Sequence, residues 1–106
     1  MPLDHPDRGA LELTAVLHAL SDPQRLKVVR ILAAGDESRP CGCFGLEVTK
    51  STATHHFRVL REAGVIEQRV QGTSRLNALR REDLDARFPG LLDAVLAGAD
   101  ALAPVA

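Results

Sequence analysis

The sequence predicts a mainly α-helical fold with one small β-hairpin, and three observations point there. Residues 50–66 read as a single amphipathic helix closed by Gly64. At about 100° per residue, Thr49, Ala53, Phe57, Leu60 and Gly64 gather on one side of it, and Ser51, Thr54, His55, Arg58 and Arg61 on the other. Residues 65–79 then alternate loosely around Gly72, a hairpin signal. Three Phe and no Trp or Tyr leave the core to Leu, Val, Ile and Ala. So thin an aliphatic core in 106 residues favours helices in one domain and gains from dimerisation.

The elements follow in chain order. Residues 1–9 carry neither a basic n-region nor an apolar h-region and are expected to be a disordered leader, with His5 inert in it. The folded domain is expected over 10–102, and a flexible tail over 103–106. Residues 10–20 form a helix with Leu11, Leu13, Val16, Leu17 and Leu20 apolar on more than one face, which suits a dimer seam, and His18 is a solvated edge residue there. Asp22 caps the next helix and Pro23 occupies its first position, where a missing N–H costs nothing. That helix runs to Ala34, with Leu26, Val28, Val29, Ile31 and Leu32 inward and Arg25, Lys27 and Arg30 outward. Gly35 stops it, and 36–40 is a polar loop. Residues 41–47 make about a turn and a half of helix, and Thr49 caps the long helix. After the hairpin, 82–85 opens a helical turn. Pro89 begins a last helix with Leu91, Leu92, Val95, Leu96, Ala99 and Leu102 on one stripe.

The two faces of the long helix suit different surroundings. The apolar face is buried. The other is a row of hydroxyls and guanidiniums that matches the base edges and phosphates of a DNA groove. The hairpin tip adds Arg69, Gln71, Thr73 and Arg75, with no bulky apolar residue on it. A helix followed at once by a basic hairpin is the order of parts in a winged helix-turn-helix. Charge is segregated accordingly. Residues 50–81 hold seven basic and two acidic side chains, a balance of +5, while the remainder balances to −6 inside a net −1. Affinity for a polyanion follows local cation density rather than net charge. Ser51, Thr54, His55 and Arg58 are therefore the expected base-edge readers. Lys50, Arg61, Arg69, Thr73 and Arg75 are the expected phosphate or minor-groove contacts.

Residues 19–26 (Ala-Leu-Ser-Asp-Pro-Gln-Arg-Leu), 51–66 and the wing around Gly72 resemble the ArsR/SmtB family of bacterial winged-helix repressors, and with the flanking helices the resemblance spans Leu11 to Leu102. The resemblance implies five helices and one two-stranded wing, and a homodimer through the first and last helices. It also implies operator binding that an inducer, often a metal ion, loosens. Cys41 and Cys43 fall where that family's Cys-x-Cys sensors place their thiolates, which take soft ions such as Zn(II), Cd(II), Cu(I) or As(III). The segment after the pair is shorter than in those sensors, Phe44 replaces an Asp, and only two sulfurs exist per chain. The pair is thus read three ways: as small packing residues, as a metal or metalloid site, or as redox-responsive thiols. His55 serves as a groove contact and His56 as a core-edge residue. The family's other site, built from Asp and His near the last helix, finds Asp93 and Asp100 but no histidine beyond His56.

Other classes are weighed against these readings. There is no Gly-rich phosphate loop, GxSxG elbow or His-Glu metal helix, so no enzyme is expected. No run of roughly 18 apolar residues exists, so no membrane span is expected and the protein reads as cytoplasmic. Two alternatives stand beside an effector-released repressor. One is a regulator with a non-metal or redox input. The other is a protein-interaction winged helix, which would need apolar anchors on its exposed helix face.

Overall fold

The computed structural model describes residues 3–35 and 38–102. A 3₁₀ turn at Arg8–Ala10 leads into α1 (Leu13–Leu20) and α2 (Pro23–Ala34). These are followed by a short strand β1 (Arg39–Pro40), a 3₁₀ turn at Cys41–Cys43, and α3 (Lys50–Ala63). The hairpin β2 (Ile66–Gln71) and β3 (Ser74–Leu79), then α4 (Arg81–Arg87) and α5 (Leu91–Leu102), complete the chain. The five helices surround a core of aliphatic residues and two phenylalanines, Phe44 and Phe57, whose ring centroids lie 5.5 Å apart. The expected tail at 103–106 lies outside the described residues.

The helix boundaries follow local chemistry. Asp22 caps α2 by accepting the N–H groups of Gln24 (2.8 Å) and Arg25 (3.2 Å), with Pro23 at the first position. Thr49 caps α3, its hydroxyl accepting from the Thr52 N–H. At the other end of α3, Gly64 adopts φ 84°. The Val65 N–H then reaches the Leu60 carbonyl and the Gly64 N–H that of Arg61, a Schellman closure. A Cβ at Gly64 would run into the Leu11 side chain, so the same position also admits the N-terminal segment against the helix end.

Four expectations are corrected. The two-stranded wing is present, but the sheet that holds it is larger than expected: β1 adds to β3, in the order β1-β3-β2, pairing Arg39 with Asn77 and Pro40 with Leu76. A two-residue strand containing a proline leaves no periodicity to read, and proline, lacking an N–H, is tolerated because β1 is an edge. Residues 41–47 are not a helix beyond one 3₁₀ turn, since Gly42 and Gly45 weaken it and Phe44 is drawn into the core. The count of five helices is met by α4 instead, which is longer than the expected turn.

The leader, where described, is ordered. The His5 Nε2 accepts the Gln68 N–H on the open edge of β2 (2.9 Å), and Arg80 donates to the Pro6 carbonyl (2.7 Å). Leu11 is buried ahead of α1, which starts at Leu13, and its carbonyl accepts from Arg87 rather than from the helix.

The fourth correction is Arg25, expected outward but only 6% exposed. Its Nε donates to the Ala19 carbonyl (2.7 Å) at the C-terminal end of α1, and its Nη2 to the His18 carbonyl (3.1 Å), which also accepts from Ser21. The Nη1 lies 3.1 Å from Nδ1 of His56, which is buried at the edge of the core as expected. One guanidinium thereby joins α1, α2 and α3. Arg25→Met keeps the stem but strands the Ala19 carbonyl, and is expected to lower stability by about 1–3 kcal/mol, read as a lower urea midpoint at unchanged slope.

Two carboxylates tie stability to pH. Partial burial opposes ionisation of Asp22, yet the N–H groups of Arg25 and Gln24, with His56 and Arg25 nearby, hold it below the ordinary aspartate value. Asp83 is held below that value by hydrogen bonds from Arg8 and then Arg80. A carboxyl whose pKa falls on folding stabilises above its unfolded pKa, and the contribution is lost as pH drops through the folded value. Asp22→Asn preserves a capping oxygen without the charge. Urea midpoints should therefore favour the wild type above pH about 4 and converge with the variant below it.

Candidate nucleic-acid interface

The sequence of α3 divides its surface as its periodicity predicts. His56, Phe57, Leu60 and Ala63 are buried, and Lys50, Ser51, Thr54, His55 and Arg58 are exposed. Of the expected inner set, Ala53 is half-buried, while Thr49 lies outside the helix and is engaged as its cap. The Thr54 hydroxyl donates back to the Lys50 carbonyl (3.0 Å), which orients it without covering it. Among the described residues the exposed large apolar side chains are Leu13, Leu17 and Val70, none of them on α3. An interaction helix would present such anchors there.

The hairpin closes through the two-residue turn Gly72-Thr73, with φ 62° at Gly72 and no positive φ at Thr73. This is the II′ pattern, which matches strand twist. Its register assigns faces. Gln68 pairs with Asn77 and Val70 with Arg75, so these four share the face turned toward the protein, whereas Arg69, paired with Leu76, lies on the opposite face. Arg69 and Arg75, grouped together from the sequence, thus flank the wing from two sides. Val70 is 54% exposed, so the wing does carry an apolar residue, two positions before Gly72.

A buried polar chain holds the wing to α3. Arg61 Nη1 donates to Gln68 Oε1 (2.8 Å), Gln68 Nε2 to Asn77 Oδ1 (2.7 Å), and Asn77 Nδ2 to the Arg39 carbonyl (3.0 Å) and Cys41 Sγ (3.2 Å). Arg61 was expected at phosphates and is instead half-buried on this chain. Sequence reasoning missed Gln68 and Asn77 altogether. The available signal was Gln68 itself, a polar residue in register with Ile66 and Val70 on the inward face of an alternating strand.

The same sorting applies to the basic segment 50–81. Arg80 pairs with Asp83 (2.9 Å) and Arg81 with Asp85 and Asp93. With Arg61 also engaged, Lys50, Arg58, Arg69 and Arg75 are exposed cations with no ion pair among the described residues. All four lie on α3 and the wing.

Cys41 is half-buried against the amides of Asn77 and Gln68, and Cys43 is exposed. Both are free thiols. No group of three or more His, Cys, Asp or Glu converges among the described residues. Asp93 and Asp100 face Arg81 and Arg30.

Known proteins place this arrangement. The profile of bacterial regulatory proteins of the arsR family matches residues 22–68. An uncharacterized HTH-type transcriptional regulator of Bacillus subtilis, YceK, is 34% identical over 80 residues, covering 74% of this chain and 80% of that protein. The chain belongs to the arsR family. The arsenical resistance operon repressor of Staphylococcus xylosus is 32% identical over 77 residues, 70% of this chain and 71% of that one.

Among solved structures, the transcriptional repressor BigR of Xylella fastidiosa shares the fold, with a TM-score of 0.65 at 22% identity over 88% of each chain. A homodimeric winged helix-turn-helix DNA-binding domain of Mycobacterium bovis superposes with a TM-score of 0.65 at 26% identity, over 83% of this chain and 78% of that one. This arsR-family chain is a winged helix-turn-helix transcriptional regulator, with β2-β3 as its wing. Its relatives are regulators of transcription, and among the described residues no helix is long and apolar enough to cross a membrane.

Proposed function

We propose that the chain is a homodimeric, cytoplasmic repressor that seats α3 in the major groove of an operator. Ser51, Thr54, His55 and Arg58 face base edges, and Lys50, Thr73 and Arg75 meet the adjoining backbone. Arg69 meets phosphate or minor groove from the far side of the wing. The observation that carries this reading is that four exposed cations of α3 and the wing have no ion pair among the described residues, whereas Arg80 and Arg81 just beyond the wing are paired with aspartates. Arg61 is a positioning residue, holding the wing at its angle through Gln68.

Dimerisation is supported by Leu13 and Leu17, one turn apart on α1 and 46% and 44% exposed, and by the homodimeric solved relative. A twofold dimer calls for a pseudo-palindromic operator with half-sites about 10 base pairs apart. Arg58→Ala is expected to cost about 1–3 kcal/mol and to relax preference at one base position. Arg75→Ala should weaken all sequences alike and reduce the salt slope by roughly one. Fluorescence anisotropy on a selected operator and a scrambled duplex, across a salt series, checks both. Unchanged affinity in both variants removes the assignment of faces.

The effector we propose for the cysteine pair is a thiophilic ion. The S. xylosus relative is named for arsenical resistance. A Staphylococcus aureus relative, 30% identical over 70 residues, is named for cadmium resistance. The two thiols fit an ion that accepts two sulfurs. One needing three or four donors draws the rest from solvent or from the second subunit, since no third donor converges on the pair. Ligation of Cys41 would pull its sulfur from Asn77 and Gln68, the amides that fix the wing. Zn(II), Cd(II), Cu(I) and As(III), added singly, are expected to include one that lowers operator affinity in the wild type and leaves a Cys41→Ser/Cys43→Ser variant unaffected. Identical affinities throughout would rule out the metal input.

A further inference from the structure

The described surface contains a cleft of about 700 Å³ between the first half of α3, the Cys41 turn and the wing. Its composition is unlike that of a phosphate track. Buried Phe57 and half-buried Ala53 and Leu46 make an apolar floor, the amide side chain of Gln68 lines one wall, and exposed Lys50 and Arg75 stand at the rim. A cleft of this size, apolar with a few convergent polar groups, has the form of a small-molecule site. A phosphodiester offers no comparable apolar body to bury against Phe57. The two rim cations lack ion pairs among the described residues, so the mouth of the cleft is uncompensated positive charge.

We propose that this cleft binds a small organic anion, an apolar body carrying one carboxylate or sulfonate, and that such a ligand acts as an inducer by competing with DNA for Lys50 and Arg75. The apolar body lies on Ala53, Leu46 and Phe57, and the acid group neutralises the rim. An occupied cleft therefore removes two of the four free cations from the DNA face. No conformational relay is needed, because ligand and backbone phosphate require the same two side chains. The competition rests on the DNA reading above, whereas binding in the cleft does not.

The test uses 8-anilinonaphthalene-1-sulfonate as the probe, titrated by fluorescence against the full chain and three variants that circular dichroism shows to be folded. Ala53→Leu fills the floor and is expected to raise the dissociation constant of the dye about tenfold, while leaving operator affinity unchanged. Lys50→Gln should weaken the dye several-fold. Leu13→Gln/Leu17→Gln, on the exposed face of α1, should leave it unchanged.

Operator DNA should displace the dye from the wild type, and the dye should lower operator affinity there but not in Ala53→Leu. Dye binding that ignores Ala53→Leu and Lys50→Gln, or is abolished by the α1 variant, overturns the site. Dye and operator bound together without mutual effect overturn the inducer role. Dye held in the cleft by a protein that binds no duplex overturns the DNA reading instead, and leaves the cleft as a ligand site.

Discussion

The hydrogen bonds running from Arg61 through Gln68 to Asn77 set the geometry on which everything else depends. They lie between the C-terminal half of α3 and the inner face of the hairpin, where Gln68 and Asn77 are almost wholly buried. A buried amide without a partner costs about 1–3 kcal/mol, so the wing has one favourable placement on α3 rather than a range of them. Arg39 and Cys41 extend the chain to the third strand and the turn before α3. Helix, wing and cysteine turn consequently behave as one unit. Anything that alters the surroundings of Cys41 acts on the same amides that fix the wing on α3.

A second guanidinium does for the helices what Arg61 does for the wing. Arg25 closes the end of α1, belongs to α2 and meets His56 on α3, so α3 is braced from behind by a charged group with its donors engaged. Four other arginines are paired with nearby aspartates: Arg8 and Arg80 with Asp83, Arg81 with Asp85 and Asp93, Arg30 with Asp100. The exposed ones among these pairs add little to stability, but each offsets a positive charge where it falls. On α3 and the wing, Lys50, Arg58, Arg69 and Arg75 have no ion pair among the described residues, which leaves a cationic ridge there on a chain of net charge −1. Both a polyanion and a small acid would be drawn to it.

The balance between what the sequence showed and what it hid follows the reach of each interaction. Helix α3 was legible because its burial repeats every 3.6 residues and its ends carry local signals, Thr49 and Gly64. The cap at Asp22 and the hairpin turn were legible for the same reason: their hydrogen bonds close within a few residues. Strand β1 was not, because two residues hold no period and their partners lie 36 or more positions away. The leader was hidden likewise, since its order comes from bonds to Gln68 and Arg80 more than 60 residues distant.

Residue type and spacing determined by themselves that this chain has a long helix with a polar, basic outer face and a glycine-turned wing beside it, and its short motifs carried the resemblance to the arsR family. These are properties of local periodicity and of short contiguous motifs. Which arginines are free was decided only by the tertiary structure. Arg25, Arg58, Arg61 and Arg75 look alike in sequence, yet two are bonded inside the protein and two stand in solvent. A guanidinium reaches whatever acceptor the fold brings within hydrogen-bond distance, and those acceptors come from elements remote in the chain.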